Sequence, residues 1–72
     1  MSEPFDLTVV VPTLNEEGSL REILPRLWAT LTRLGLRGEI IVVDARSTDA
    51  TVAVAKAGGA RVLTQTGRGL GG

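Results

Sequence analysis

The architecture of this 72-residue chain is signalled by one segment, Val9-Val10-Val11-Pro12-Thr13-Leu14-Asn15-Glu16-Glu17. A run of β-branched residues ends at a proline, and a helix-capping asparagine with two acids follows directly. This order is typical of a buried parallel strand that leads into a helix. A second copy of the pattern follows, in which Ile40-Ile41-Val42-Val43-Asp44 precedes Ala45-Arg46-Ser47-Thr48-Asp49. Because ligands bind outside the C-terminal ends of the strands in open α/β sheets, the two segments together predict a nucleotide site.

Composition excludes several classes of function. The chain carries eight basic and eight acidic side chains and contains neither cysteine nor histidine. Disulfides, thiol catalysis, histidine-based acid–base chemistry and the usual zinc sites are therefore excluded. No basic stripe is interleaved with aromatic residues, so we expect no nucleic acid partner. A signal peptide and a membrane-spanning run are both lacking, which favours a cytoplasmic protein.

Hydrophobic periodicity and glycine positions predict five elements. Strands are expected at residues 7–11, 39–43 and 61–63, each as a continuous apolar run. The first helix is capped by Asn15 and ends before Gly35. The second is capped by Ser47 or Thr48 and runs to about Ala57. We expect its sheet-facing side to be formed by Val52, Ala53 and Ala57.

Right-handed crossovers place the three strands side by side and parallel, with helices covering the faces. The predicted fold is therefore α/β, a βαβαβ half of a doubly wound, Rossmann-like parallel sheet. One edge of the first strand is left unpaired, which permits self-association through that edge. Small chains usually need a disulfide or a metal, and the sequence offers neither. We therefore expect residues 1–72 to be the N-terminal part of a larger enzyme, with a flexible glycine-rich loop at 64–72.

Each polar residue at the predicted strand ends allows two interpretations. The Asp44 carboxylate can accept a hydrogen bond from a base N–H or a ribose hydroxyl, or it can cap a loop amide. Glu16 can reach a nucleoside hydroxyl, or it can simply favour the positive end of the helix dipole. Arg46 can hold a phosphate or lie free on the surface. The residue types alone leave these alternatives open.

The stretch Gly67-Arg68-Gly69-Leu70-Gly71-Gly72 formally matches G-x-G-x-x-G. A dinucleotide fingerprint belongs in the first strand–helix turn, whereas this stretch follows the third strand, so we interpret the match as chance. Its amides, together with Arg68, can approach a pyrophosphate. The alternative is a solvated tail.

The motifs P-T-x-N-E at 12–16 and D-x-x-S-T-D-x-T at 44–51 together resemble the start of a family 2 glycosyltransferase. The stretches Ala57-Gly58-Gly59-Ala60-Arg61-Val62-Leu63 and Gly67-Arg68-Gly69 are similar to the family's next landmarks. The dolichyl-phosphate mannosyltransferase-like and glucosyl-phosphoglycerate synthase-like branches are the most similar. The resemblance covers the chain from Asp6 onward.

This resemblance implies the GT-A fold, which binds a nucleotide-diphospho-sugar over the ends of the first strands. It also implies roles for six residues. Pro12, Thr13 and Glu16 would line the nucleoside pocket, Asp44 would contact the base, Ser47 would shape the loop, and Arg68 would lie near the pyrophosphate.

A divalent metal, Mg or Mn, is expected on the diphosphate in the full enzyme. The family's metal-binding aspartates and catalytic base come later in its sequences, so we expect no metal ligand and no catalytic residue within this chain. Sugar transfer by the 72 residues alone is not expected. The acceptor stays open, and a lipid phosphate would imply a cytoplasmic protein peripheral to the inner face of a membrane.

Two departures from the family pattern matter. The family usually reads D-D-G-S-T-D-G-T, whereas this chain has Ala45 and Arg46 after Asp44. Arg46 must therefore adopt a backbone conformation that glycine reaches freely, or the turn must differ. Two other classes remain as alternatives, namely a nucleotidyltransferase fragment and a non-catalytic α/β interaction module.

Overall fold

A computed structural model describes residues 5–65, and the order of its elements is the predicted βαβαβ. The elements are β1 (Leu7–Thr13), α1 (Glu17–Leu34), β2 (Gly38–Asp44), α2 (Thr51–Ala57) and β3 (Arg61–Thr64). The strands form one parallel sheet in the order β1-β2-β3. The predicted α/β class is therefore confirmed. Of the predicted loop at 64–72, Thr64 is the last residue of β3, and positions 66–72 lie outside the described residues.

The C-terminal ends of β1 and β2 are aligned by their register. Thr13 is paired with Asp44, and the Ala45 amide donates to the Thr13 carbonyl at 2.9 Å. β1 continues through Pro12, two residues beyond its expected end at Val11. Proline is tolerated there because β1 is an edge strand, where a missing N–H donor disrupts no ladder. The two following loops therefore start side by side at one edge of the sheet.

Both helices pack on the same face of the sheet, contrary to the expectation that helices would cover both faces. Burial alternates along β2, where Ile40 and Val42 are buried and Ile41 and Val43 are half-buried. On the opposite face Val10 is 59% exposed and Leu63 is 49% exposed. The reason is topological: the strand order advances in one direction, so each right-handed crossover passes over the same side.

A single core lies between the helices and this sheet face. Its buried members are Leu20, Leu24, Leu31, Ile40, Val42, Ala55 and Ala60. α1 contributes three leucines at helical spacing and continues through Pro25 to a left-handed Gly35. The stop predicted at Gly35 is confirmed. Neither helix of the described chain is both long and apolar enough to cross a membrane.

The orientation of α2 differs from the expectation. Thr51 and Ala55 are fully buried, whereas Ala53 and Ala57, which were expected to face the sheet, are exposed. The helix begins at Thr51 rather than at a Ser47 or Thr48 cap, so only one i, i+4 pair faces the sheet. Trp28 lies against the core, and its indole N–H donates to the Gly58 carbonyl at the end of α2 (2.7 Å).

Candidate functional site

Asp44 is the centre of a buried polar network at the end of β2. Its side chain has no solvent exposure. One carboxylate oxygen accepts from the Thr13 hydroxyl at 2.8 Å and from the Ser47 hydroxyl at 2.6 Å. The other accepts from the Ser47 amide at 2.8 Å. The Asp44 carboxylate thus caps a loop amide, and its contact with a base stays a prediction.

The network keeps Asp44 ionised. Burial alone would raise the pKa of its carboxyl group, but the hydrogen bonds from Ser47 and Thr13 outweigh burial and lower the pKa below its usual value. Hydrogen bonds to an ionised acceptor are shorter and stronger than neutral ones. The carboxylate therefore fixes the end of β1 and the loop after β2 relative to one another.

A second set of hydrogen bonds joins the β1–α1 loop to the β2–α2 loop. We call loop clasp the four contacts of this set in which a backbone amide donates to a side-chain oxygen. The Asn15 amide donates to the Ser47 hydroxyl (2.8 Å), the Thr48 amide to Asn15 Oδ1 (2.9 Å), the Glu16 amide to the Thr51 hydroxyl (2.9 Å), and the Ala50 amide to Glu17 Oε1 (3.2 Å). The two loops are thereby one structural unit.

The loop clasp explains why the predicted helix caps are wrong. Glu16 and Ala50 are the residues at the N-cap positions, and neither makes a side-chain capping bond. Asn15 has a left-handed backbone, with φ of 53°, and its side chain contacts Thr48 instead of its own helix. Asparagine tolerates this conformation better than most residues.

The structure places five of the six predicted nucleotide-binding residues at this edge. Thr13 and Ser47 both donate to Asp44, and Thr13 and Asp44 are buried. Pro12 and Glu16 are exposed next to them. Arg68 lies outside the described residues.

Sequence reasoning missed Thr51 and Glu17 as members of the site. Thr51 is fully buried, and Glu17 lies in the first turn of α1, where it resembles an ordinary dipole partner. Their roles depend on residues more than 30 positions away, because Glu16 and Thr51 are 35 positions apart and Glu17 and Ala50 are 33 apart. Thr51 is the last residue of the S-T-D-x-T motif, which was the one signal that could have identified it.

Arg46 has the strained conformation expected from its place in the family pattern. Its φ is 63°, in the region that favours glycine, and its side chain is exposed. The turn of the family pattern is therefore kept, although its left-handed backbone conformation is unfavourable for arginine. The Asp44 and Ser47 contacts on either side hold the backbone there.

Arg46→Gly is expected to stabilise the chain by about 0.5–1 kcal/mol. It removes a left-handed penalty of roughly 1–2 kcal/mol, part of which is offset by the greater freedom of glycine in the unfolded state. Thermal unfolding followed by circular dichroism measures the change. Arg46→Ala removes the same charge but keeps the Cβ, so it should give no such gain. An equal rise in Tm for both variants would show that charge, not backbone strain, is responsible.

Within residues 5–65, no three Asp, Glu, His or Cys side chains come together as a metal site would require. An apolar groove of about 450 Å³ lies between α1 and α2, lined by residues such as Leu24, Pro25 and Val54. None of the predicted site residues lines it. The polar chemistry of the described chain is therefore concentrated at the loop clasp and the Asp44 network.

Comparison with known proteins identifies a family. The sequence model of glycosyl transferase family 2 matches residues 8–72. The low-salt glycan biosynthesis hexosyltransferase Agl6 of Haloferax volcanii is 42% identical over 65 residues, which are 90% of this chain and 16% of that protein. The undecaprenyl-phosphate 4-deoxy-4-formamido-L-arabinose transferase of Pseudomonas aeruginosa is 42% identical over 59 residues, which are 81% of this chain and 17% of that protein.

A solved structure shares the fold. Glucosyl-3-phosphoglycerate synthase from Mycobacterium tuberculosis, in complex with Mn²⁺, UDP and glucosyl-3-phosphoglycerate, superposes with a TM-score of 0.68 at 35% identity. The match covers 85% of this chain and 21% of that enzyme. The chain thus spans about a sixth to a fifth of the length of the proteins it matches.

Proposed function

The chain belongs to glycosyl transferase family 2, and on this premise we propose that residues 5–65 bind the nucleotide part of a nucleotide-diphospho-sugar donor in an enzyme that transfers the sugar to an acceptor. One observation carries the proposal. The Thr13–Asp44–Ser47 network joins the ends of β1 and β2 at the edge where open α/β sheets bind ligands. The family match favours this function over a nucleotidyltransferase fragment or a non-catalytic module.

Exposure divides the predicted contact residues into two groups. Pro12 and Glu16 are exposed, so we propose that they touch the nucleoside directly. Thr13 and Asp44 are buried, and their polar atoms are already engaged with each other and with Ser47. We propose that these residues shape the pocket by holding its two loops. A contact between Arg68 and the pyrophosphate rests on the family resemblance alone.

The relatives support a donor class and an acceptor class. The Mycobacterium tuberculosis enzyme was crystallised with UDP, which makes a uridine diphosphate sugar the first donor to test. That enzyme's complex contains a phosphoglycerate product, and the Pseudomonas aeruginosa relative is named for undecaprenyl phosphate. Both molecules carry phosphate, so we propose a phosphorylated acceptor. A lipid phosphate would place the protein in the cytoplasm at the inner face of a membrane.

A divalent metal on the diphosphate is proposed for the full enzyme, because the same complex contains Mn²⁺. We propose that this metal is Mg²⁺ or Mn²⁺. Residues 5–65 offer no metal-ligand cluster, so none of them is assigned to the metal. One edge of β1 is unpaired within residues 5–65, and we propose that another strand, from this chain or a second copy, would pair there.

Titration of the ¹⁵N-labelled chain with UDP, GDP, TDP and uridine tests the proposal. We expect at least one nucleotide to shift amide resonances in residues 13–16 and 44–51. Thr30, on the exposed side of α1, serves as the internal control and should not shift. Saturable shifts confined to the outer faces of α1 and α2 would contradict the proposed site, and no shift with any nucleotide would contradict the proposed function.

A further inference from the structure

We propose that Thr51 is a positioning residue for nucleotide binding, which it controls by holding the exposed Glu16 in place through the loop clasp. The inference rests on the proposed function. Thr51 has no solvent exposure, so it cannot touch a ligand in this conformation. Its effect on binding must pass through the residues it contacts.

The Thr51 hydroxyl makes two hydrogen bonds. It accepts from the Glu16 amide at 2.9 Å and donates to the Asp49 carboxylate. Glu16 stands at the start of α1, where no side chain of its own helix caps the first amides. Without the hydroxyl, the Glu16 N–H would lose its acceptor in a partly buried place, which is unfavourable.

The second anchor of this loop lies one residue earlier. The Asn15 amide donates to the Ser47 hydroxyl, and that hydroxyl donates to Asp44. Glu16 is therefore held from the β2 side by the Asp44 network and from the α2 side by Thr51. Such double anchoring presets the backbone from which the Glu16 side chain projects before a ligand arrives, which reduces the cost of ordering on binding.

Packing alone does not require the hydroxyl. Valine has nearly the shape of threonine and would fill the same space beside the core, but it offers no acceptor to Glu16. Thr51→Val therefore removes the hydrogen bonds while keeping the volume. Thr51→Ser keeps the hydroxyl and loses one methyl group. If Thr51 acts by positioning, Thr51→Ser should bind the nucleotide more tightly than Thr51→Val, because only Thr51→Ser keeps the hydroxyl.

The experiment measures UDP affinity of the full 72-residue chain by NMR titration, at a temperature where every variant is folded. We expect Thr51→Val to weaken binding about tenfold, corresponding to the loss of roughly 1.4 kcal/mol. Thr51→Ser should bind within about twofold of the wild type. The Glu16 amide resonance should shift and exchange faster with solvent in Thr51→Val only, as a direct sign of the lost hydrogen bond.

Two controls separate positioning from stability. Ile40→Val lowers stability from within the core without touching either loop, and it should leave the UDP affinity unchanged. Thr30→Val makes the same chemical change on the exposed side of α1, where the hydroxyl only contacts the Arg26 carbonyl. It should also bind normally.

The outcomes are distinguishable. If the wild type binds UDP and Thr51→Val binds it equally well, the positioning role is overturned while the proposed function stands. If Ile40→Val weakens binding as much as Thr51→Val does, the effect is one of stability and the inference is also overturned. If the wild type binds none of UDP, GDP and TDP, the proposed function fails and the positioning role fails with it.

Discussion

Asp44→Ala is expected to remove most of the free energy of unfolding of the chain at 25 °C. The substitution removes the common acceptor of the Thr13 hydroxyl, the Ser47 hydroxyl and the Ser47 amide. Hydrogen bonds to a charged group contribute about 1.5–3 kcal/mol each, and buried donors left without partners add a desolvation cost. A loss of about 3–5 kcal/mol is most of the stability of so small a domain. Urea unfolding followed by circular dichroism measures it.

Two further variants isolate the cause. Asp44→Asn keeps the shape but places an amide where a carboxylate accepted three hydrogen bonds, so we expect about half the loss seen with alanine. Glu22→Gln removes one carboxylate charge from the exposed side of α1 and should change stability by less than about 0.5 kcal/mol. An Asp44→Asn variant as stable as the wild type would show that the network contributes little.

The same network predicts a pH dependence. Because the pKa of Asp44 is lowered in the folded chain, the unfolded chain binds the proton first as the pH falls. The stabilisation is complete above the usual aspartate pKa and is lost as the pH falls through the lowered value. Between about pH 5 and pH 2, the Tm of Asp44→Asn should therefore fall less than the Tm of the wild type. Some acid sensitivity remains, since hydrogen bonds also lower the pKa values of Asp6 and Asp49.

Leu24→Ala is expected to destabilise the chain by about 2–5 kcal/mol. The Leu24 side chain is 1% exposed and belongs to the core between α1, α2 and the sheet. A Cβ built on Gly58 would lie 2.5 Å from Leu24 Cδ1, so the end of α2 already approaches this leucine as closely as glycine permits. Truncation therefore opens a cavity at the helix–helix contact.

Leu34→Ala is the matched control for this prediction. Leu34 lies at the end of the same helix and is 60% exposed, so the same truncation should cost less than about 0.5 kcal/mol. Both variants are compared with the wild type by urea unfolding. Equal losses at the two positions would mean that burial in the described core does not determine the stability of α1.

Much of the fold follows from local patterns. Apolar runs ending in Pro12 or Asp44 marked the two long strands, and Gly35 marked the end of α1. Local propensity and hydrophobic period are properties of neighbouring residues, so a sequence displays them directly. The family motifs likewise placed Thr13, Asp44 and Ser47 at one edge, because parallel strands bring their C-terminal ends together.

The partners of each polar group could not be predicted in this way. Asn15 and Ser47 were interpreted as caps of their own helices, yet they bond to each other across 32 positions of the chain. The sheet-facing side of α2 was predicted wrongly, because it depends on where that helix begins. The helix begins at Thr51, which is held by Glu16 from 35 positions away. A capping side chain bonds to a donor or acceptor that lies within hydrogen-bond distance. Groups that are distant in the sequence come within that distance only after folding.

The amino-acid sequence by itself determined the βαβαβ order, the approximate strand and helix ends, the family, and the edge of the sheet where the polar motifs meet. These depend on short-range propensity and on the fixed handedness of crossovers. Tertiary structure alone decided that Asp44 is buried and satisfied by Thr13 and Ser47, and that the loop clasp replaces the helix caps. Burial and the choice of hydrogen-bond partner depend on groups that the whole chain brings together, so they are defined only in the folded molecule.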